Sequence, residues 1–141
     1  MKLTKNFSLD EFIESRFYDE ESQEKVWESY NENIGELLPY LSKLANQLQV
    51  LRDCIGMPIY INISYRPVWW EHKQGRLGNS QHCLGKAADI VVPGMTPDDV
   101  ADTIEHLISR GDMLQGALGR YDTFTHYDIR KTKRRWDYRT K

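Results

Sequence analysis

The chain has 141 residues, 40% of them hydrophobic and 28% charged, with a formal net charge of −2. One folded domain spanning residues 1–141 is expected, because a chain of this length hides roughly 70% of its unfolded surface without disulfide staples. The near-neutral balance excludes a general nucleic-acid binder, no apolar run approaches a membrane span, and two cysteines, Cys54 and Cys83, do not make a disulfide framework.

Ser8 with Glu11 reads as a capping box that opens a short helix carrying Phe12 and Ile13. Asp19–Asn33 is polar and weakly patterned, and a helix is expected there. From about Glu36 to Cys54, Leu37, Leu41, Leu44, Leu48 and Leu51 recur every three or four residues, the stripe of a helix lying on a core. On this reading Pro39 occupies the first turn, Cys54 belongs to the apolar face and Gly56 ends the helix. Pro58–Ile63 alternates and is rich in β-branched residues, which predicts a strand. A long loop follows from about Arg66 to Ser80, containing Gly75 and Gly78. Lys86–Val92 reads as a second strand.

Thr96-Pro97-Asp98-Asp99 is a helix start, with a capping threonine, proline at the first helical position and acids in the first turn. Its helix turns Val100, Ile104, Leu107 and Ile108 to the core, and Gly111 closes it. Gly116–Gly119 and Phe124–Arg130 are the last strands, and the basic run Arg130–Arg139 reads as a solvated tail. The order of elements predicts an α+β domain, helices packed on a small, mostly antiparallel sheet. There is no internal repeat and no low-complexity tract.

Three residues carry candidate chemistry together: His82, Asp89 and His126. Imidazole nitrogen and carboxylate oxygen suit zinc, and a catalytic zinc keeps three protein ligands and one open position. His82 precedes a Leu84-Gly85 turn and Asp89 sits in the strand after it, so the two can converge. Sheet pairing can bring His126 alongside Asp89. Cys83, next to His82, is expected to point away. His106 lies off the apolar stripe of its helix and is expected in solvent. His72 falls in the long loop, and Ser80 is expected to support the turn rather than act as a nucleophile.

The flanking residues sharpen this. Ser80-Gln81-His82-Cys83-Leu84-Gly85-Lys86-Ala87-Ala88-Asp89 resembles the Ser-x-His-x-x-Gly-x-Ala-x-Asp signature of the zinc D-alanyl-D-alanine carboxypeptidase superfamily. That group also holds phage cell-wall endopeptidases and the hedgehog signalling domain. Ser64-Tyr65-Arg66-Pro67 is similar to its Ser-Gly-Tyr-Arg-Ser-Pro segment. Gly119–Arg130 is similar to a closing Gly-x-Tyr-x-x-Phe-x-His-x-Asp-x-Arg strand, and Asn6–Phe12 to the family's helix opening. The resemblance runs from about residue 4 to residue 130.

It implies a hedgehog/DD-peptidase-like fold, Zn2+ on His82, Asp89 and His126, and hydrolysis of peptide bonds in peptidoglycan, as a carboxypeptidase or as an endopeptidase. Arg66 matches the family's arginine, placed to meet charge on the reacting carbonyl or on a substrate carboxylate. The chain departs from the family at two places. Val68–Leu77, with Trp69, Trp70, Glu71 and His72, differs from the usual Asn- and Gly-rich loop. Thr123 stands where many relatives carry their catalytic acid.

Asp128, then Asp122, then Glu71 are the remaining candidates for the proton shuttle, and Asp128 has an alternative role in orienting a ligating imidazole. The alternative to an enzyme is a catalytically silent, zinc-stabilised module that binds wall peptides or a protein partner. A monomer is expected. Met1–Phe17 carries Lys2, Lys5, Asp10, Glu11, Glu14 and Arg16 and does not read as a secretion signal. Synthesis in the cytoplasm is therefore expected, with action at the cell wall or periplasm after release by a phage-type route. A bacterial enzyme exported otherwise, or carried in a prophage, fits equally well.

Overall fold

The computed structural model describes residues 1–140. Five helices lie against one five-stranded sheet, an α+β arrangement. Helix α1 (Leu9–Ile13) starts at Ser8, whose N–H donates to the Glu11 carboxylate at 2.7 Å. Helix α2 (Glu20–Glu32) starts at Asp19, whose carboxylate accepts from the Ser22 N–H at 2.7 Å. Helix α3 (Ile34–Ile55) buries Leu37, Leu41, Leu44, Leu48 and Leu51 and stops at Gly56, where φ is +68° and a side chain is disfavoured.

Two expectations for α3 are corrected. The helix begins at Ile34, so Pro39 sits inside it and not in its first turn. The carbonyl that loses its donor belongs to Gly35, which is exposed to solvent, and the helix runs through. Cys54 is exposed, because the buried stripe ends at Leu51 and residue 54 has rotated off it.

Strand β1 (Tyr60–Ile63) follows, then helix α4 (Val68–Lys73) within the segment expected to be loop. Pro67 provides its start, and Trp69 and Trp70 pack partly buried against the core while Glu71 is fully buried. A 3₁₀ turn (Gln81–Leu84) leads through Gly85, at φ +74°, into β2 (Ala87–Val91). Helix α5 (Pro97–Ser109) is capped by Thr96, whose hydroxyl accepts from the Asp99 N–H at 3.0 Å. Strands β3 (Ala117–Arg120), β4 (Thr125–Asp128) and β5 (Arg134–Asp137) complete the chain.

The sheet order is β1-β2-β4-β3-β5, antiparallel except for the β3–β5 pair. Strand β5 corrects the solvated-tail reading of Arg130–Arg139. Ion pairs anchor the strand and the residues just after it, Arg135 to Glu105 at 2.9 Å and Arg139 to Asp98 at 2.8 Å. The helices cover one face of the sheet, where Ala88, Ile90, Leu118 and Tyr127 join α3 and α5 in the core. On the other face one row of paired residues runs Asp89–His126–Gly119–Trp136, and the next Ala87–Asp128–Ala117–Arg134. Partners directly opposite in a sheet share a face. Small residues at 87, 117 and 119 therefore leave that face hollow, with the titratable side chains inside it.

Candidate metal centre

Asp89 comes from the middle of β2 and His126 from the paired position on β4, so the sheet sets them side by side. His82 reaches them from the 3₁₀ turn, whose start is held by the Ser80 hydroxyl accepting from the His82 N–H at 3.1 Å. One ligand atom from each of the three lies within 4.8 Å of the other two. His82 Nε2 is 3.4 Å and His126 Nδ1 2.9 Å from Asp89 Oδ1. In a tetrahedral zinc site, bonds of 2.0–2.1 Å separate ligand atoms by about 3.3 Å.

Hydrogen bonds on the far side of each ring fix which nitrogen is free. His82 Nδ1 lies 2.8 Å from the Ser64 carbonyl and donates to it, leaving the Nε2 lone pair toward Asp89. His126 Nε2 lies 2.7 Å from Asp128 Oδ2 and donates to it, leaving Nδ1 toward Asp89. Two lone pairs and a carboxylate thus face one point, with all three residues buried. Such a set repels itself unless a proton or a cation lies between its members. The donor set fits zinc, and the outer hydrogen bonds are those that orient ligating imidazoles.

The two imidazoles sit in opposed electrostatic environments. Burial pushes the His82 imidazole down, against the pull of Asp89. Burial also acts against charge on His126, but hydrogen bonds to Asp128 and Asp89 outweigh it and hold the ring above its usual value. Burial alone raises Asp89, yet the two imidazoles hold it well below the usual carboxylate range. Asp128 is held low in the same way, against burial, by hydrogen bonds from Arg130 and His126.

The cluster opens into a cleft of about 600 Å³, lined also by Arg66, Arg76, Arg130 and Arg134 and by Tyr121, Phe124, Trp136 and Tyr138. A larger groove of about 1110 Å³ lies between α1, α2 and β1. It is rich in acids but holds no imidazole, so the chemistry belongs to the smaller cleft. Arg66 enters the cleft with its Nη2 3.3 Å from the Ser80 hydroxyl and 15% of its side chain exposed. Its Nε is buried and faces the Glu71 carboxylate at 3.7 Å, an ion pair too long for a hydrogen bond.

The other candidate residues are scattered. Asp128 lies behind His126, fully buried, with both oxygens taken by His126 and Arg130. Asp122 faces a separate small concavity with Asp137, Arg139 and Thr140, and accepts from the Thr140 hydroxyl at 2.8 Å. Glu71 is fully buried beneath Arg66 and Arg76, at 3.7 and 2.7 Å. Cys83 Sγ is 4.0 Å from Glu71 and takes no part in the cluster. His72, exposed, lies beside the Leu77 carbonyl, and His106 is exposed on α5.

Sequence reasoning missed Trp136 and Arg134. The indole N–H donates to the Tyr121 hydroxyl at 2.9 Å, and its ring lies 5.0 Å from that of His126. Gly119 makes this possible, since a Cβ there would overlap the indole. The sequence offered only an aromatic residue inside a basic run, and an arginine-rich segment hides a strand.

The sequence profile of the family described as Peptidase M15 matches residues 6–128, which include every residue of the His82–Asp89–His126 cluster and stop short of β5. No curated protein matches the chain.

Proposed function

Because the chain belongs to the peptidase M15 family, a metallopeptidase family, we propose that it is a zinc-dependent peptidase hydrolysing stem or cross-link peptides of peptidoglycan. The observation that carries this reading is the convergence of His82 Nε2, His126 Nδ1 and Asp89 Oδ1 at the floor of an open cleft. Bound there, zinc supplies an acidified water and a Lewis acid for the scissile carbonyl.

The chain's own side chains supply the rest. The Ser64 carbonyl holds His82 in the tautomer with Nε2 free. Arg66, whose Nη2 reaches the Ser80 hydroxyl on the cleft wall, meets the charge developing on the carbonyl oxygen. The water's proton needs a carboxylate. Asp128 is the nearest outside the cluster, but its pairing with Arg130 supports the other role open to it, holding His126 in place. Asp122 can serve only from its separate concavity.

One observation favours a second reading: among the described residues, Asp89 is the only carboxylate lining the cleft. A silent zinc-stabilised module that binds wall peptides needs no proton shuttle. Purified peptidoglycan incubated with the zinc-loaded chain, followed by mass spectrometry of the soluble peptides, separates the two. New peptide termini that vanish on chelation support the peptidase. Saturable binding with no new termini supports the module.

A further inference from the structure

The cleft has two arginine walls, and the reaction uses one of them. Arg66 and Arg76 stand on the β1 and 3₁₀ side of the donor cluster. On the other side, β5 brings Arg134 and Trp136 onto the same sheet face as His126 and Asp89. Trp136 is fixed by its hydrogen bond to Tyr121 and by its fit over Gly119. The guanidinium carbons of Arg130 and Arg134 lie 5.7 and 5.8 Å from its ring centre.

These two arginines differ in one respect. Arg130 is already neutralised by Asp128, through Nε and Nη2, both at 2.8 Å. Arg134 has no ion pair and no side-chain hydrogen bond among the described residues. It is a cation held against an indole, at the rim of a cleft whose only lining carboxylate is already engaged by two imidazoles. A planar guanidinium in that state is a receptor for a carboxylate.

We propose that Arg134, backed by Trp136, is a second anion subsite that selects peptides carrying a free carboxylate upstream of the scissile bond, namely the α-carboxylate of the γ-linked D-glutamate in peptidoglycan stems. The proposal rests on the peptidase reading for its substrate and on β5, outside the matched family segment, for its residues. The dimensions agree. The Arg134 guanidinium carbon is 5.8 Å from the Trp136 ring centre, itself 5.0 Å from that of His126, so the cation lies within about 11 Å of the His126 ring. In an extended stem, the carbonyl of the D-Ala-D-Ala bond and the D-glutamate α-carboxylate are separated by roughly 12 Å, two residues plus the γ-linkage, and a carboxylate bound to the guanidinium lies a little beyond its carbon.

The test uses the zinc-loaded full chain and two pairs of synthetic peptides. Calorimetric titration with the tetrapeptide L-Ala-γ-D-Glu-L-Lys-D-Ala and its counterpart amidated at the D-glutamate α-carboxyl reads binding alone. The corresponding pentapeptides ending in D-Ala-D-Ala read hydrolysis. The free acid should bind about tenfold tighter than the amide, as expected for loss of a charge-assisted hydrogen bond. Arg134→Gln should erase that preference, and Lys133→Gln, at an exposed neighbour, should leave it intact. Equal affinities in the wild type, no binding of either tetrapeptide, or a preference that survives Arg134→Gln would overturn the subsite. Hydrolysis of both pentapeptides without discrimination in binding sinks the subsite and leaves the peptidase. Discrimination in binding without hydrolysis keeps the subsite and excludes cleavage at the D-Ala-D-Ala bond.

Discussion

Replacing Gly119 with alanine tests whether the β5 wall is built as described. The new Cβ would overlap the Trp136 indole, and the colliding atoms belong to the far end of a side chain, so the ring should swing away from His126 rather than the sheet break. That movement gives up the N–H bond to Tyr121, about 1 kcal/mol, and two partly exposed cation–π contacts of about 0.5–1 kcal/mol each. A strand glycine replaced by alanine recovers about 0.5–1 kcal/mol. The net expected loss is about 1–2 kcal/mol, lowering Tm by about 3–8 °C for a chain of this size. Thermal unfolding followed by circular dichroism measures the loss, and tryptophan fluorescence should show the indole moving into water. The same substitution in a Trp136→Ala background should cost nothing or stabilise. An unchanged Tm and spectrum, or an equal cost in both backgrounds, would refute the packing of Trp136 over Gly119.

Glu71→Gln should destabilise the chain by about 2 kcal/mol in urea unfolding, because it leaves Arg66 facing no charge; half-exposed Arg76 keeps the cost below that of a fully buried pair. Arg66→Lys keeps the charge but loses the planar fork, so kcat/KM on wall peptides should fall at least about tenfold with Tm unchanged. Asp128→Asn should weaken zinc binding about 10- to 100-fold if Asp128 orients His126. Full zinc affinity with lost turnover would instead make Asp128 the proton shuttle.

Much of the fold was legible because local signals agreed with tertiary need. The Leu37–Leu51 stripe, the Ser8–Glu11 box and the Thr96 cap all predict elements the structure contains. The three candidate ligands also converge, since a turn and a strand pairing sufficed to bring them together. What could not be read depends on distant partners. Strand β5 is basic and interrupted, and it becomes a strand only through parallel pairing with β3 and through Glu105 and Asp98 on α5. Helix α4 lies in a segment read as loop and buries the Glu71 carboxylate, because its arginine partners at 66 and 76 are visible only in three dimensions. Cys54 was misplaced for a simpler reason: the apolar stripe was extended one turn too far.

The most direct test of the account is metal analysis of the purified chain beside its His82→Ala and His126→Ala variants. One zinc per wild-type chain is expected, with both variants losing it and chelation lowering the wild-type Tm, since binding to the folded state alone adds to stability. Full zinc occupancy in both variants, or a wild type that takes up none, would contradict the site.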